Sequence, residues 1–271
     1  MARNSTPPSS LVISVDVELS RVACVDSDQA QHVSLVDHRS RVESLQQLLQ
    51  VFDQAQVPAT WGFSDPARSH FVPALANGTS QHEVALLGDM SWISPEAGRR
   101  SLCQQLVQRI SRAQEAGVEL STLALYDGQL SADYDLLAKQ QISMVRHPRT
   151  KLQSRKQASR RRSLRYGLWE APAAVSLSPT SLLGGRLPGR AINRLMRRMD
   201  RQGGVGHLLL DLTGEKDVSS RGLKLVNRIL HAISKYQRLA QLQICTLRDL
   251  ALQWQPSQQG VTARSLLRVA A

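Results

Sequence analysis

Apolar and polar positions begin to alternate at Leu11. Leu11, Ile13, Val15 and Val17 fall on one face of an extended segment, and Ser14, Asp16 and Glu18 fall on the other. The pattern predicts a buried strand with two carboxylates at its C-terminal end. In α/β folds the loops leaving that end build the functional site. A buried carboxylate is costly unless it is paired, hydrogen-bonded or metal-bound, so the partner of Asp16 becomes the first question the chain poses.

The period then changes. Residues 20–37 are polar and read as a long loop, after which Val42, Leu45, Leu48, Leu49 and Phe52 recur at helical spacing over 38–55. A strand over 57–63 follows, then a helical piece that Asp65 would cap and Gly78 would end. Residues 83–88 form a third strand, and Ser94-Pro95-Glu96 opens a helix with its stripe at Leu102, Leu106, Ile110 and Ala113, closed by Gly117. Strands are expected over 118–126, 142–146, 164–170, 206–212 and 240–245, and helices over 131–140, 191–201, around Leu223–Ile233 and over 246–254. Strand–helix alternation of this kind implies a largely parallel sheet, open or closed into a barrel. No composition break interrupts residues 10–254, which read as one domain between a disordered N-terminus (1–9) and a tail (255–271).

Charge changes the picture more than composition does. The chain carries 34 Lys and Arg against 22 Asp and Glu, a formal net charge of +12, which favours anionic partners or surfaces. Arg190, Arg194, Arg197 and Arg201 recur at i, i+4, i+7 and i+11, so one helix face is basic, and residues 146–165 are also rich in Lys and Arg. Such a face suits phosphates, anionic glycans or nucleic acid, although aromatic residues are scarce and no zinc-finger spacing occurs. No GxGxxG or GxxxxGK[ST] is present, which argues against a dinucleotide or P-loop nucleotide site. Cys24, Cys103 and Cys245 are widely spaced and odd in number, as in reduced cytoplasmic proteins. The first eight residues lack the apolar core of a signal peptide, and no apolar run is long enough to span a membrane.

Taken in order, residues 11–18, residues 43–61 ending in Val57-Pro58-Ala59-Thr60-Trp61, and His82-Glu83-Val84-Ala85 resemble the polysaccharide deacetylase family (the NodB homology domain). Glu170-Ala171-Pro172 and the closing segment through Cys245-Thr246-Leu247-Arg248-Asp249-Leu250 are similar to later elements of the same family. The resemblance implies a distorted (β/α) barrel of about seven parallel strands. It also implies a divalent metal such as zinc, held by one Asp and two His, that activates water to deacetylate N-acetylated sugars. Carried over by position, Asp16 falls on the family's catalytic base. Val17 replaces the metal Asp, Leu87 and Ser91 replace the two metal histidines, Ala124-Leu125-Tyr126-Asp127-Gly128 lacks the family's loop Arg, and Asp211 stands where the late His is expected. By this resemblance the member is degenerate, with no metal site and no cofactor.

Several side chains remain as candidates. Asp16 (as a base), Glu18 and Asp211 are the catalytic set, and Trp61, Tyr126, Asp127, Arg146, His147 and Glu170 could contact a glycan or anionic ligand at the barrel mouth, although core packing suits Trp61 better and a solvated loop suits His147 better. Asp16, Glu18, Asp89, Asp127 and Asp211 could ring that mouth and hold Mg²⁺ or Ca²⁺, but Asp at strand ends more often serves as a turn or cap residue. His82 reads as a strand-start residue rather than a ligand. The leading expectation is a non-hydrolytic deacetylase-like protein of carbohydrate or cell-envelope metabolism that binds a glycan or a partner. The alternatives are an active deacetylase or hydrolase with a rearranged metal site, and a basic scaffold for polyanions or nucleic acid.

Overall fold

The computed structural model describes residues 9–17, 28–69, 71–126, 130, 133–147, 162–178, 186–202, 204–213, 220–238 and 242–255. Ten strands form one sheet: β1 (Ser9–Val17), β2 (Thr60–Phe63), β3 (Glu83–Gly88), β4 (Thr122–Leu125), β5 (Met144–Arg146), β6 (Arg162–Ser163), β7 (Trp169–Glu170), β8 (Val175–Leu177), β9 (Val205–Leu212) and β10 (Leu242–Cys245). Their order is β6-β7-β5-β4-β3-β2-β1-β9-β8. All pairings are parallel except that of β6 with β7. The expected distorted (β/α) barrel is therefore present.

β1 organises it. Along its full length it pairs with β9, while its other edge is shared: β10 takes residues 9–12 and β2 takes residues 14–17. All nine of its residues are buried. On the far side, the stretch 169–177 joins the two edges of the sheet. β7 pairs with β5, β8 pairs with β9, and between them Ala173 N–H donates to His147 O and Ala174 N–H to His207 O. Residues 164–170 were expected as a single strand; a turn over Arg165–Gly167 with Tyr166 at φ 58° replaces its first half. β8 went unrecognised because three residues are too few for a period to register.

Helices cover the outside: α1 (Asp28–Ala55), α2 (Val72–Ala76), α3 (Met90–Ile93), α4 (Gly98–Glu115), α5 (Tyr134–Lys139), α6 (Arg186–Gln202), α7 (Ser220–Arg238) and α8 (Leu247–Trp254). Helix α1 begins ten residues before the periodic stripe, at Asp28, so much of the expected loop over 20–37 is helical. Polarity misled there, because helix propensity needs no apolar stripe. Asp65 makes no capping hydrogen bond; its Oδ2 lies 3.5 Å from both Arg68 Nε and Arg112 Nη1. Ser94 does cap the turn that leads into α4, and Gly117 ends that helix region at φ 75°.

Two large apolar layers lie between sheet and helices. One joins β1, β2, β8, β9 and β10 to α1, α2, α6 and α7, and the other joins β3, β4 and β5 to α3, α4 and α5. A third cluster fills the base of the barrel, where Leu247, Leu250 and Ala251 of α8 meet Val12, Met144, Ala171 and Cys245. Glu83 anchors this plug. Its buried carboxylate accepts from Thr60 Oγ1 (2.7 Å), Thr122 Oγ1 (2.5 Å) and Arg248 N–H (2.9 Å), while Thr60 Oγ1 accepts from Leu247 N–H (2.9 Å). Thr246 and Asp249 complete a capping box on α8.

Gly88 is the tightest close approach in the second layer: a Cβ there would collide with Ile93 and press on Trp92. Gly88→Ala should cost roughly 1–3 kcal/mol through overpacking, read as a lower urea midpoint at unchanged slope. An unchanged midpoint would show that Ile93 moves aside freely.

Candidate functional site

The register sets which side chains enter the barrel. Asp16 lies beside Gly62 on one neighbour and Asp211 on the other, and Ala124 lies beside Arg146. The inward face of the upper barrel thus carries Ser14, Asp16, Gly62, Leu87, Ala124, Arg146, His207 and Asp211. Gly62 leaves the room Asp16 needs, since a Cβ there would sit 3.0 Å from Asp16 Oδ1.

Asp16 and Arg146 meet in this interior. Arg146 Nη2 donates to Asp16 Oδ2 at 2.7 Å and to Leu125 O at 3.3 Å, and the two side chains are 0% and 2% exposed for Arg146 and Asp16. Beneath them His207 Nε2 and Ser14 Oγ share a 2.8 Å hydrogen bond. Asp16 Oδ1 and Arg146 Nε and Nη1 are buried without a hydrogen-bond partner among the described residues. Burial pushes Asp16 up to about 6, against the opposing pull of Arg146. Burial, reinforced by the Arg146 charge, holds His207 down at about 3.

Arg146 is a fully buried partner of Asp16 rather than a ligand contact at the mouth, which corrects one expectation, and Asp16 is held in an ion pair through Oδ2. Trp61 is a second correction. It pairs in register with Val15, on the opposite face from Asp16, and packs in the outer core against Phe52 (5.6 Å) and Phe71 (5.3 Å). With 0% exposure it stacks on no sugar.

Asp89, Tyr126, His147 and Asp211 lie at the C-terminal ends of β3, β4, β5 and β9. Asp211 is half-buried beside Asp16 in register, and its Oδ1 accepts from Thr213 N–H (3.2 Å) and Oγ1 (2.6 Å). Tyr126 is 40% exposed where β4 ends. His147 Nε2 approaches the buried Glu170 Oε1 at 3.7 Å. Asp89 caps α3, accepting from Ser91 N–H and Oγ. Arg190, Arg194 and Arg197 are exposed on α6. Glu18, Asp127 and the side chain of Arg201 lie outside the described residues. His82 is the strand-start residue expected of it: Nδ1 accepts from Ala59 N–H, and burial lowers its affinity for a proton. Sequence reading overlooked His207 and Ser14, although the alternation His207, Leu209, Asp211 places that His on the same face as Asp211.

The residues present do not fit a divalent metal. A guanidinium already occupies the Asp16 carboxylate, Leu87 sits in a small apolar cluster with Ala85 and Ala124, and Ser91 is engaged by Asp89. Among the described residues, no group of three or more His, Cys, Asp or Glu side chains is placed to hold an ion. Of the proposed acidic ring, Asp16 pairs with Arg146, Asp89 with Ser91 and Asp211 with Thr213, while Glu18 and Asp127 lie outside the described residues.

No protein-family model and no curated protein matches the sequence. Solved structures do match the fold. A candidate polysaccharide deacetylase from Mycobacterium smegmatis superposes with a TM-score of 0.62 at 16% identity, covering 92% of this chain and 91% of that one. Puue allantoinase superposes at 0.61 and 13% identity over 94% and 95%. The 4-alpha-glucanotransferase from Thermococcus litoralis gives 0.61 at 12% identity, but this chain spans only 41% of its length. The chain thus has the (β/α)-barrel fold found among polysaccharide deacetylases. Among the described residues, no helix is long and apolar enough to cross a membrane.

Removing one member of the ion pair should be worse than removing both. Asp16→Asn or Arg146→Met alone should cost roughly 3–5 kcal/mol, and the double variant should recover a substantial part of that sum. Strict additivity in urea denaturation would mean that the pair is not coupled. The pH dependence has a definite sign. Asp16 moves from 3.8 unfolded to about 6 folded, so its contribution is present below about 4 and lost as pH rises through about 6. His207 moves from 6.5 down to about 3, so its contribution is present above 6.5 and lost as pH falls toward 3. Between pH ~4 and ~6 the two oppose each other. Asp16→Asn should therefore lose stability faster than the wild type on acidification across that window.

Proposed function

We propose that this protein is a non-hydrolytic barrel of the polysaccharide-deacetylase type, binding a glycan at the C-terminal mouth of its strands. One observation carries the reading: the buried Asp16–Arg146 pair fills the place where the resemblance requires a base beside a metal. A guanidinium neutralises a carboxylate as a metal would, but it stays protonated and offers no coordination position from which water could be activated. Carbohydrate enters through the fold. A deacetylase candidate, a 4-alpha-glucanotransferase and a GH57-type branching enzyme from Pyrococcus horikoshii share it at TM-scores of 0.61–0.62. Tyr126, exposed at the end of β4, is the aromatic best placed to meet a sugar ring. The free thiols of Cys103 and Cys245 favour a reducing, cytoplasmic setting.

A second reading has one observation in its favour. Asp16 titrates near 6 with Oδ1 unpartnered, as a general acid or base would require. Under that reading the protein hydrolyses a carbohydrate amide through a rearranged site.

The two readings separate in one assay. N-acetylglucosamine oligomers incubated with the full chain, with and without added zinc, should release no acetate above background. Calorimetric titration with the same oligomers should detect binding that Tyr126→Ala weakens severalfold. Acetate release abolished by Asp16→Asn would replace the first reading with the second.

A further inference from the structure

The barrel interior does not account for the charge of the chain. Helices α6 and α7 carry eleven Lys and Arg residues and a single acid, Asp200, so they hold most of the +12 excess. On α7 the basic residues Arg221, Lys224, Arg228, Lys235 and Arg238 fall at i, i+3, i+7, i+14 and i+17, with His231 completing the row at i+10. All of them are exposed. On α6 the exposed row is Arg190, Arg194 and Arg197. Both helices bury their other face in the same apolar layer, through Ile192, Leu195 and Met196 on α6 and Val226, Ile229 and Leu230 on α7. Both basic faces therefore point away from that layer.

Elsewhere on the surface several cations meet acids. Arg39 meets Glu43 at 3.2 Å, Arg99 meets Asp133 and Asp135 at 2.5 and 2.6 Å, and Arg248 meets Glu119 at 2.9 Å. None of the eight Lys and Arg residues in the two rows has an ion-pair partner among the described residues. Rows of uncompensated cations repel one another, and an external polyanion relieves that repulsion.

We propose that the basic rows of α6 and α7 dock duplex nucleic acid through its phosphates, independently of base sequence. Arginine predominates in the rows, and its planar fork takes phosphate oxygens in pairs. The α7 row spans 17 residues, roughly 25 Å of helix, which matches about seven base pairs and about fifteen phosphates. A single strand is disfavoured because it needs stacking platforms, and Tyr236 is the lone aromatic on the two helices. A bilayer is disfavoured because both apolar faces are committed to the core, leaving little to insert between lipids.

The test uses the full chain and a fluorescent duplex of about 30 base pairs of arbitrary sequence, titrated by anisotropy at several salt concentrations. Binding should weaken along a log–log salt slope of about −4 or steeper, with little difference between sequences. Arg190→Glu/Arg194→Glu and Lys224→Glu/Arg228→Glu should each weaken binding at least tenfold and flatten the slope. Circular dichroism checks that each variant is folded, and the neutral pair Lys224→Gln/Arg228→Gln should give an intermediate loss. No binding at about 50 mM salt overturns the proposal. So does affinity unchanged by the folded reversals, or binding to phosphatidylserine vesicles or heparin without binding to the duplex.

Discussion

The structure depends on how a carboxylate is kept inside a barrel. Desolvating Asp16 and Arg146 costs several kcal/mol for each ion, and only close geometry in a low-dielectric interior offsets that cost. The requirement propagates. Arg146 must leave the end of β5 extended and inward, and its second hydrogen bond to Leu125 O ties it to the end of β4. A Cβ at Gly62 would press on Asp16 Oδ1 at 3.0 Å, so the glycine gives that carboxylate room. His207 must stay neutral beside a fixed cation, which its lowered proton affinity allows. One ion pair thus constrains β1, β2, β4, β5 and β9 together.

The two ends of the barrel treat polar groups differently. At the base, Glu83 accepts three hydrogen bonds from two strands and the start of α8, and the apolar plug closes around it. Burial alone would raise its proton affinity, and those three donors pull against the rise. Glu83 is thereby fully engaged, and its role is structural. Toward the mouth, buried atoms of Asp16 and Arg146 lack partners among the described residues. A partly satisfied polar network costs stability, which marks that end as a candidate site.

What the sequence made legible follows from the length of each signal. The alternation over 11–18 is long, so it correctly put Asp16 on the face opposite Val15 and Val17. It could not name the partner, because Arg146 lies 130 residues away on a strand of three residues. Trp61 could be read either way, because an aromatic in a short apolar strand fits either face, and only the register with β1 decides for the core. His207 was readable from its alternation with Asp211 but was passed over, since a lone His on an apolar strand more often packs than acts. The start of α1 was hidden because a polar helix shows no period.

The basic helices are anchored as firmly as the interior. Ser9 Oγ at the start of β1 donates to Met199 O on α6 at 3.0 Å, and Met199 packs where Gly206 has no side chain. Ser234 Oγ on α7 donates to Ala55 O at the end of α1, also at 3.0 Å. Both contacts are buried, and both fix helix backbone to strand or helix backbone rather than to a loop. The arginine rows consequently sit on rigid supports, so ordering them against a partner costs side-chain entropy but little backbone entropy.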